Sequence, residues 1–225
     1  MGVKLESLFG SPSLGVYMVG NNEFVLIPKN VQDDKIHSLK SAFPKNFPIY
    51  KFMFNQSALL GSYIIMNSNG ILLPSLILDE ELEELKSITK NNHLNISILE
   101  TRDNALGNLI LCNNKGAIIT KNLTKHIKEI QNTLDVEVMV LDYAGNNLPG
   151  SSGIANNHGC CVHPMVSDRE AEMIEEILKV PVDVSTINMG NPFIRSGALV
   201  NDMGGIFGVN SSGPELMRLS MLLKL

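Results

Sequence analysis

The chain has 225 residues, 44% of them hydrophobic and 18% charged, and carries a formal net charge of −5. Such a composition is globular and excludes a largely disordered chain, and no apolar run approaches the roughly 18–20 residues that cross a bilayer. The acidic balance, with arginine confined to Arg102, Arg169, Arg195 and Arg218, argues against a grip on nucleic acid mainly through phosphates and leaves room for a local contact.

The first residues place Lys4 and Glu6 close together with no long apolar stretch behind them, so no secretory signal is expected. A β-like segment, Val3 to Phe9, comes next. From there the chain repeats. An Asn, two residues and a Gly stand at Asn67 to Gly70, Asn113 to Gly116, Asn156 to Gly159 and Asn201 to Gly204, with a degenerate copy at Asn21 to Phe24. The anchors step by 46, 46, 43 and 45 residues. A fixed period of this size is the signature of a repeat architecture.

Each anchor lies between two short β-rich runs. Those before it are Leu14 to Val19, Ser62 to Met66, Leu109 to Cys112, Ser152 to Ala155 and Ala198 to Val200. Those after it are Phe24 to Ile27, Ile71 to Leu73, Ala117 to Ile119, Cys160 to Val162 and Gly205 to Phe207. Asn and Gly between such runs suit the positive-φ positions of a tight hairpin. Phe24 suits them poorly, so the first hairpin is expected to differ in turn type.

Helices are expected to start at Asp33, Asp79, Thr124, Asp168 and Gly213, which lie 12, 12, 11, 12 and 12 residues after the anchors. Ser167 with Glu170 and Ser212 with Glu215 have capping-box spacing, and Pro214 suits a first turn. One apolar stripe per helix (Leu82, Leu85 and Ile88 in the second) predicts one buried face each. A third strand follows in four units: Ile49 to Phe54, Leu94 to Leu99, Val136 to Leu141 and Val182 to Ile187. The fifth unit has none after its helix, so the segment spanning residues 3–9 is expected to complete it and to close a ring without unfinished sheet edges.

The expected fold is therefore α/β. One domain over 1–225 forms a closed, five-fold pseudo-symmetric α/β propeller of strand–strand–helix–strand units, near 11–55, 56–101, 102–141, 142–190 and 191–225. A capped amphipathic helix in every unit separates it from all-β propellers of similar period.

Candidate chemistry is sparse. Cys160 and Cys161 with His158 and His163 are the nearest approach to a metal cluster. Adjacent strand residues face opposite ways, and no second Cys pair completes a zinc site. Cys112 has no His near it in sequence to activate it. Three cysteines in no disulfide framework predict a reducing, cytoplasmic setting. No catalytic residue, metal or cofactor is expected. Gly15, Gly61, Gly107 and Gly150 form a second repeat, each six residues ahead of its anchor, that predicts close backbone approach or special φ near the ring centre. The loops joining units, Asn55 to Ser62, Thr101 to Asn108, Leu141 to Ser151 and Asn188 to Ser196, are expected on a common face. Asn108, Arg102, Tyr63 and Arg195 would be exposed there as a protein-docking patch.

Asp103 to Asn108, running on through Cys112-Asn113 to Gly116, closely resembles the archaeal and eukaryotic translation initiation factor 6 family. So do His163-Pro164, Lys179 to Val182, Asn201-Asp202 and Gly213 to Leu216. The resemblance spans about Ser11 to Leu225 and is strongest from Arg102 onward. It implies a pentein fold and a non-enzymatic factor of archaeal type. Such a factor binds the large ribosomal subunit, mainly through ribosomal proteins of the subunit-joining face with a local contact to ribosomal RNA. It thereby blocks joining of the small subunit, with roles in initiation and large-subunit biogenesis. Carried over by position, Leu106, Gly107 and Asn108 are the expected ribosome-binding residues, with Ser62, Tyr63 and Arg102 beside them; the protein is expected to be monomeric.

Two positions depart from the pattern: Arg195 stands where a Gly would precede the fifth anchor, and Thr120 stands where units one and two have Pro28 and Pro74. The alternative on the same fold is a guanidine-modifying enzyme of the deiminase or amidinotransferase kind, which needs a Cys late in the chain. Here the last Cys is Cys161 and the last His is His163.

Overall fold

The computed structural model describes residues 2–225. Strand β1 (Gly2–Glu6) comes first, and five sets follow. They are β2 (Val19–Gly20), β3 (Val25–Pro28) and β4 (Ile49–Phe52); β5 (Ile65–Met66), β6 (Gly70–Pro74) and β7 (Asn95–Leu99); β8 (Ile110–Cys112), β9 (Gly116–Ile119) and β10 (Glu137–Val140); β11 (Gly153–Ala155), β12 (Cys160–Val162) and β13 (Val182–Val184); and finally β14 (Ala198–Val200) with β15 (Gly204–Gly208). The five long helices are α1 (Asp33–Lys40), α2 (Asp79–Thr89), α3 (Ile127–Leu134), α4 (Asp168–Leu178) and α5 (Gly213–Leu223).

Each sheet has three strands, with the strand after the anchor in the middle. Its hairpin partner runs antiparallel to it and the third strand parallel, because a helix carries the chain across between them. The fifth sheet takes its third strand from the N-terminus: β1 lies parallel to β15 with Gly2 opposite Gly204 and Glu6 opposite Gly208. The first and last units are thus tied by backbone hydrogen bonds.

The sheets themselves do not close. They remain five separate sheets, each with two edges, which corrects the expectation of a ring without edges. Closure is made by side chains. Asn21 Nδ2 donates to the carbonyl of Asn67 at 3.0 Å, Asn67 to Asn113 at 3.2 Å, Asn113 to Asn156 at 3.2 Å, Asn156 to Asn201 at 3.3 Å, and Asn201 back to Asn21 at 2.7 Å. Every anchor Oδ1 also accepts the N–H groups two and three residues on, as Asn113 does from Lys115 at 2.8 Å and Gly116 at 3.0 Å. One amide therefore shapes its own turn and reaches the next blade.

Two expectations about these turns are corrected. Asn21 makes the same bonds to Glu23 and Phe24, at 2.9 and 3.0 Å, so the first turn has the form of the others. The anchor glycines are not at positive φ. They are small because the helix of a neighbouring unit ends against them. A Cβ on Gly70 would lie 2.0 Å from the carbonyl oxygen of Thr133, on Gly116 2.0 Å from that of Ile177, and on Gly159 2.3 Å from that of Leu222. The same helix ends are capped from the anchors: Asn67, Asn113 and Asn156 donate to the carbonyls of Leu134, Leu178 and Leu223 at 2.8, 2.9 and 2.8 Å. Carbonyls of a last turn otherwise lack partners.

The core lies between adjacent blades. Ile65 and Leu72 of the second sheet pack with Leu106, Ile119, Ile130 and Leu134 of the third unit, so each long helix buries its apolar stripe against its own sheet and the preceding one. Helix starts fall as expected at Asp33, Asp79, Asp168 and Gly213. The third differs: Lys121–His126 is a 3₁₀ segment and α3 begins at Ile127. The Thr124 hydroxyl donates back to Lys121 O at 2.6 Å, inside that segment, and so caps nothing.

Candidate functional site: the ring of glycine turns

Of the runs ahead of the anchors, Ala198 to Val200 is strand as expected, and the other four begin in helix. A single helical turn leads into the first strand of every unit: Leu14–Val16, Leu60–Tyr63, Leu106–Leu109, Pro149–Ser152 and Ile194–Gly197. Short apolar runs read alike as strand or buried helix, and the sequence periodicity does not separate them. The five turns touch one another in succession round one end of the ring. Their glycines allow it. A Cβ on Gly61 would sit 1.9 Å from Gly15 O, on Gly107 2.0 Å from Gly61 O, on Gly150 2.3 Å from Gly107 O, and on Gly15 1.9 Å from Arg195 O. This second glycine repeat serves close backbone approach; none of these residues has positive φ.

Leu106 and Gly107 are buried in this ring. Asn108 follows them, partly exposed, with its backbone N–H on Ala105 O at 2.9 Å. Ser62 and Tyr63 are partly exposed in the adjoining turn and Arg102 is exposed. In the other turns the place of Asn108 is taken by Val16, Ser62 and Ser151, each after its glycine, and by Ser196 after Arg195, all partly exposed. Val16, Ser151 and Ser196 escape a reading from sequence until the turns are seen to be equivalent. Counting five residues back from each anchor would have found them.

Tight turns rim the ring. Leu8 pairs with Ser11, Phe54 with Ser57, Tyr143 with Asn146 and Ile187 with Asn191, and each leads directly into a helical turn. Phe9, Asn55, Gln56, Ala144, Asn188 and Met189 have positive φ there. Aromatic groups tie rim to ring: Phe54 stacks on Tyr63 with centroids 5.0 Å apart, Phe9 meets Tyr17 edge-on at 5.2 Å, and Tyr143 donates to Pro149 O at 2.8 Å.

Carboxylates at the helix starts hold the rim from behind. Glu81 accepts from the N–H groups of Asn55 and Gln56 at 2.6 and 2.9 Å. Glu215 accepts from Gly190 and Met189 at 3.0 and 3.2 Å while closing its capping box with Ser212 at 2.7 Å. Burial alone would raise the Glu215 pKa, but the Ser212 N–H, the Thr186 hydroxyl and the Gly190 N–H outweigh it and hold the carboxyl at about 2. Glu81 has no capping Ser before it, only Leu78. A capping Glu without its Ser was the available signal of this second duty.

The face so built is almost free of charge. Across the rim and ring segments 8–16, 54–63, 101–109, 143–152 and 187–197, the charged residues are Arg102, Asp103 and Arg195. Arg195 is partly exposed, as Asn108 is, but its Nε is buried and has no hydrogen-bond partner. Its turn is the one without glycine at that place, and its side chain sits against the ring's central cavity. What remains is a neutral surface of Asn, Ser, Gly and Gln, with Phe9 49% and Met189 79% exposed. Such a face suits another protein's surface better than a phosphate backbone.

Chemistry of the nucleophilic kind has little to work with. Cys112, Cys160 and Cys161 are buried, and burial pushes the Cys112 and Cys161 thiols up to about 12. Buried thiols of this kind are inert. His163 is buried, its Nδ1 accepting from Met165 N at 3.1 Å, and burial lowers its pKa. Among the described residues no group of three His, Cys, Asp or Glu is placed to hold a metal, and no helix is long and apolar enough to cross a membrane.

The architecture is similar to a solved dimethylarginine dimethylaminohydrolase, a histidine-to-glycine variant in adduct with S-methyl-L-thiocitrulline. The TM-score is 0.52 at 12% identity, over 77% of this chain and 69% of that one. That likeness is one of fold, the five-unit pentein propeller. Curated relatives include translation initiation factor 6 of Pyrobaculum aerophilum, 42% identical over 96 residues (43% of this chain, 44% of the relative). The factor of the same name from Methanococcus maripaludis is 38% identical over 109 residues, 48% of each chain. Eukaryotic translation initiation factor 6 of Trypanosoma cruzi is 36% identical over 110 residues, 48% of this chain and 44% of the relative. The matched stretch thus spans about half the length of these relatives. A sequence model of the eIF-6 family, in contrast, matches residues 3–222. From its first β-strand to its last helix, the chain belongs to the eIF-6 family.

Proposed function

We propose that this chain is a ribosome anti-association factor acting in translation initiation. It binds the large ribosomal subunit and sterically prevents the small subunit from joining, with a part in large-subunit biogenesis. The observation that carries the reading is the family match over residues 3–222, which accounts for the whole repeat rather than for one motif. The neutral face of glycine turns supports it. The residues proposed to meet the ribosome are Asn108 with Ser62, Tyr63 and Arg102. Leu106 and Gly107 act by holding Asn108 in place, since they are themselves buried. The partners are ribosomal proteins of the subunit-joining face, with Arg102 the group suited to a local contact with ribosomal RNA. The factor works as a cytoplasmic monomer and without catalysis; buried thiols at Cys112, Cys160 and Cys161 favour no enzymatic reading.

The experiment is co-sedimentation with isolated large subunits, followed by a profile of coupled ribosomes after small subunits are added. Binding, together with fewer coupled particles, is expected. Absence of binding at near-physiological salt sinks the proposal. Asn108→Ala sharpens it: occupancy of large subunits should fall several-fold while the melting temperature stays within about 1–2 °C, because a surface amide away from special features contributes within about 0.5 kcal/mol. An equal loss of stability would make Asn108 a structural residue.

A further inference from the structure

Four units place a glycine at the inner turn, Gly15, Gly61, Gly107 and Gly150, and the fifth places Arg195. Its backbone behaves like theirs, with Arg195 O lying where a Cβ on Gly15 would clash. Its side chain is the addition. It lines a cavity of about 40 Å³ on the ring axis together with Met18, Ile65, Cys112, Ile154 and Leu199. None of those five can carry a charge at neutral pH. The one titratable member is Cys112, whose thiol burial pushes up to about 12, and Arg195 only partly offsets that.

Part of Arg195 remains accessible, but its Nε is enclosed and has no acceptor among the described residues. Burial pulls its pKa down from the usual value, yet a guanidinium does not lose its proton in proteins. Among the described residues, the one carboxylate lining the adjoining cavity is Asp202. It is already held there by Asn157 N at 2.8 Å, Asn157 Nδ2 at 2.6 Å and Asn22 Nδ2 at 2.6 Å. A guanidinium whose Nε is shut off from water and finds no counter-charge among the described residues of the cavity is costly and calls for a partner. The cavity has space for about three water-sized positions.

We propose that the axial cavity beside Arg195 is a binding site for a small monovalent anion of about the size of chloride, held by the guanidinium. The site is separate from the docking face. It completes the fifth unit, where a charged side chain replaces the glycine of the other four.

The test uses the wild-type protein with bromide as the probe. Crystals grown or soaked in sodium bromide should show an anomalous peak within hydrogen-bonding reach of the Arg195 guanidinium. At constant ionic strength, exchanging a bulky organic anion such as isethionate for bromide should raise the melting temperature. The expected rise is about 3–5 °C per tenfold bromide above the dissociation constant. Arg195→Gln should remove that dependence. Two results overturn the proposal: no bromide at the guanidinium, or a bromide peak with the same melting temperature in both salts, which would mark an adventitious ion only. The wild-type measurements decide the matter even if Arg195→Gln fails to fold.

Discussion

Replacing Asn113 with Ala tests whether the ring is closed by its anchor amides. The side chain accepts from Lys115 N at 2.8 Å and Gly116 N at 3.0 Å, and donates to Asn156 O at 3.2 Å and Leu178 O at 2.9 Å. Asn113 itself is 5% exposed. Removing it deletes all of these bonds and strands groups that water reaches poorly. Each lost bond costs about 0.5–1.5 kcal/mol, and a buried group left unpaired costs about 1–3 kcal/mol. Partial rescue by water in the axial cavity reduces the sum, so a loss of roughly 3–5 kcal/mol is expected, a large share of a stability of about 5–15 kcal/mol. Asn113→Asp separates the two halves of the amide. It keeps the acceptor oxygen of the turn but removes the donor and sets a carboxylate against the carbonyls of Asn156 and Leu178, so it should be no milder than Ala. Urea unfolding, followed by circular dichroism, measures both variants. A loss under about 1 kcal/mol for Asn113→Ala would refute the reasoning and leave closure to core packing alone.

Gly61→Ala should be worse than a usual surface change by several kcal/mol, since its Cβ would lie 1.9 Å from Gly15 O and only backbone movement relieves that contact; an unchanged melting temperature would contradict the packed-turn geometry. Acid should destabilise the protein through Glu215 and Glu6, both held at about 2 against an ordinary 4.5. For each, burial opposes the shift. Around Glu6 the Lys35 ammonium, the Ser38 hydroxyl and the Ser7 N–H overcome it. A depressed carboxyl pKa gives stability that is full above about pH 4.5 and is lost as pH falls toward 2. The loss is on the order of 2–3 kcal/mol for Glu215. Unfolding curves between pH 7 and 3 should therefore flatten in Glu215→Gln, and parallel curves for variant and wild type would remove Glu215 from the account. His163 acts in a higher window: its lowered pKa means stability present above about pH 6.5 and lost as pH falls below it, which His163→Gln should abolish in the same titration.

Much of this protein is local chemistry repeated, and that part is legible in the chain itself. Asn followed at three residues by Gly marks four of the five hairpins, Ser167 and Ser212 with their glutamates mark two helix starts, and the period shows that the fifth unit needs a strand from elsewhere. These depend on contacts within a few residues or on simple counting, so they survive without coordinates. The resemblance in Asp103 to Asn108 pointed to the family for the same reason. What tertiary structure alone decided is every contact between units. Gly70 and Gly116 look like turn residues, yet they are small because a helix from the next unit ends 2.0 Å from where a Cβ would be. Glu81 looks like part of an acidic helix face, yet it is 8% exposed and holds the turn at Asn55. Arg195 looks like a loop cation and is turned against the axial cavity, while Leu106 and Gly107 disappear beneath Asn108. In each case the deciding partner lies tens of residues away, where no periodicity within the element reports it. Units of nearly equal length are written in the chain; the ring of amide bonds through Asn21, Asn67, Asn113, Asn156 and Asn201 exists only once those units stand side by side.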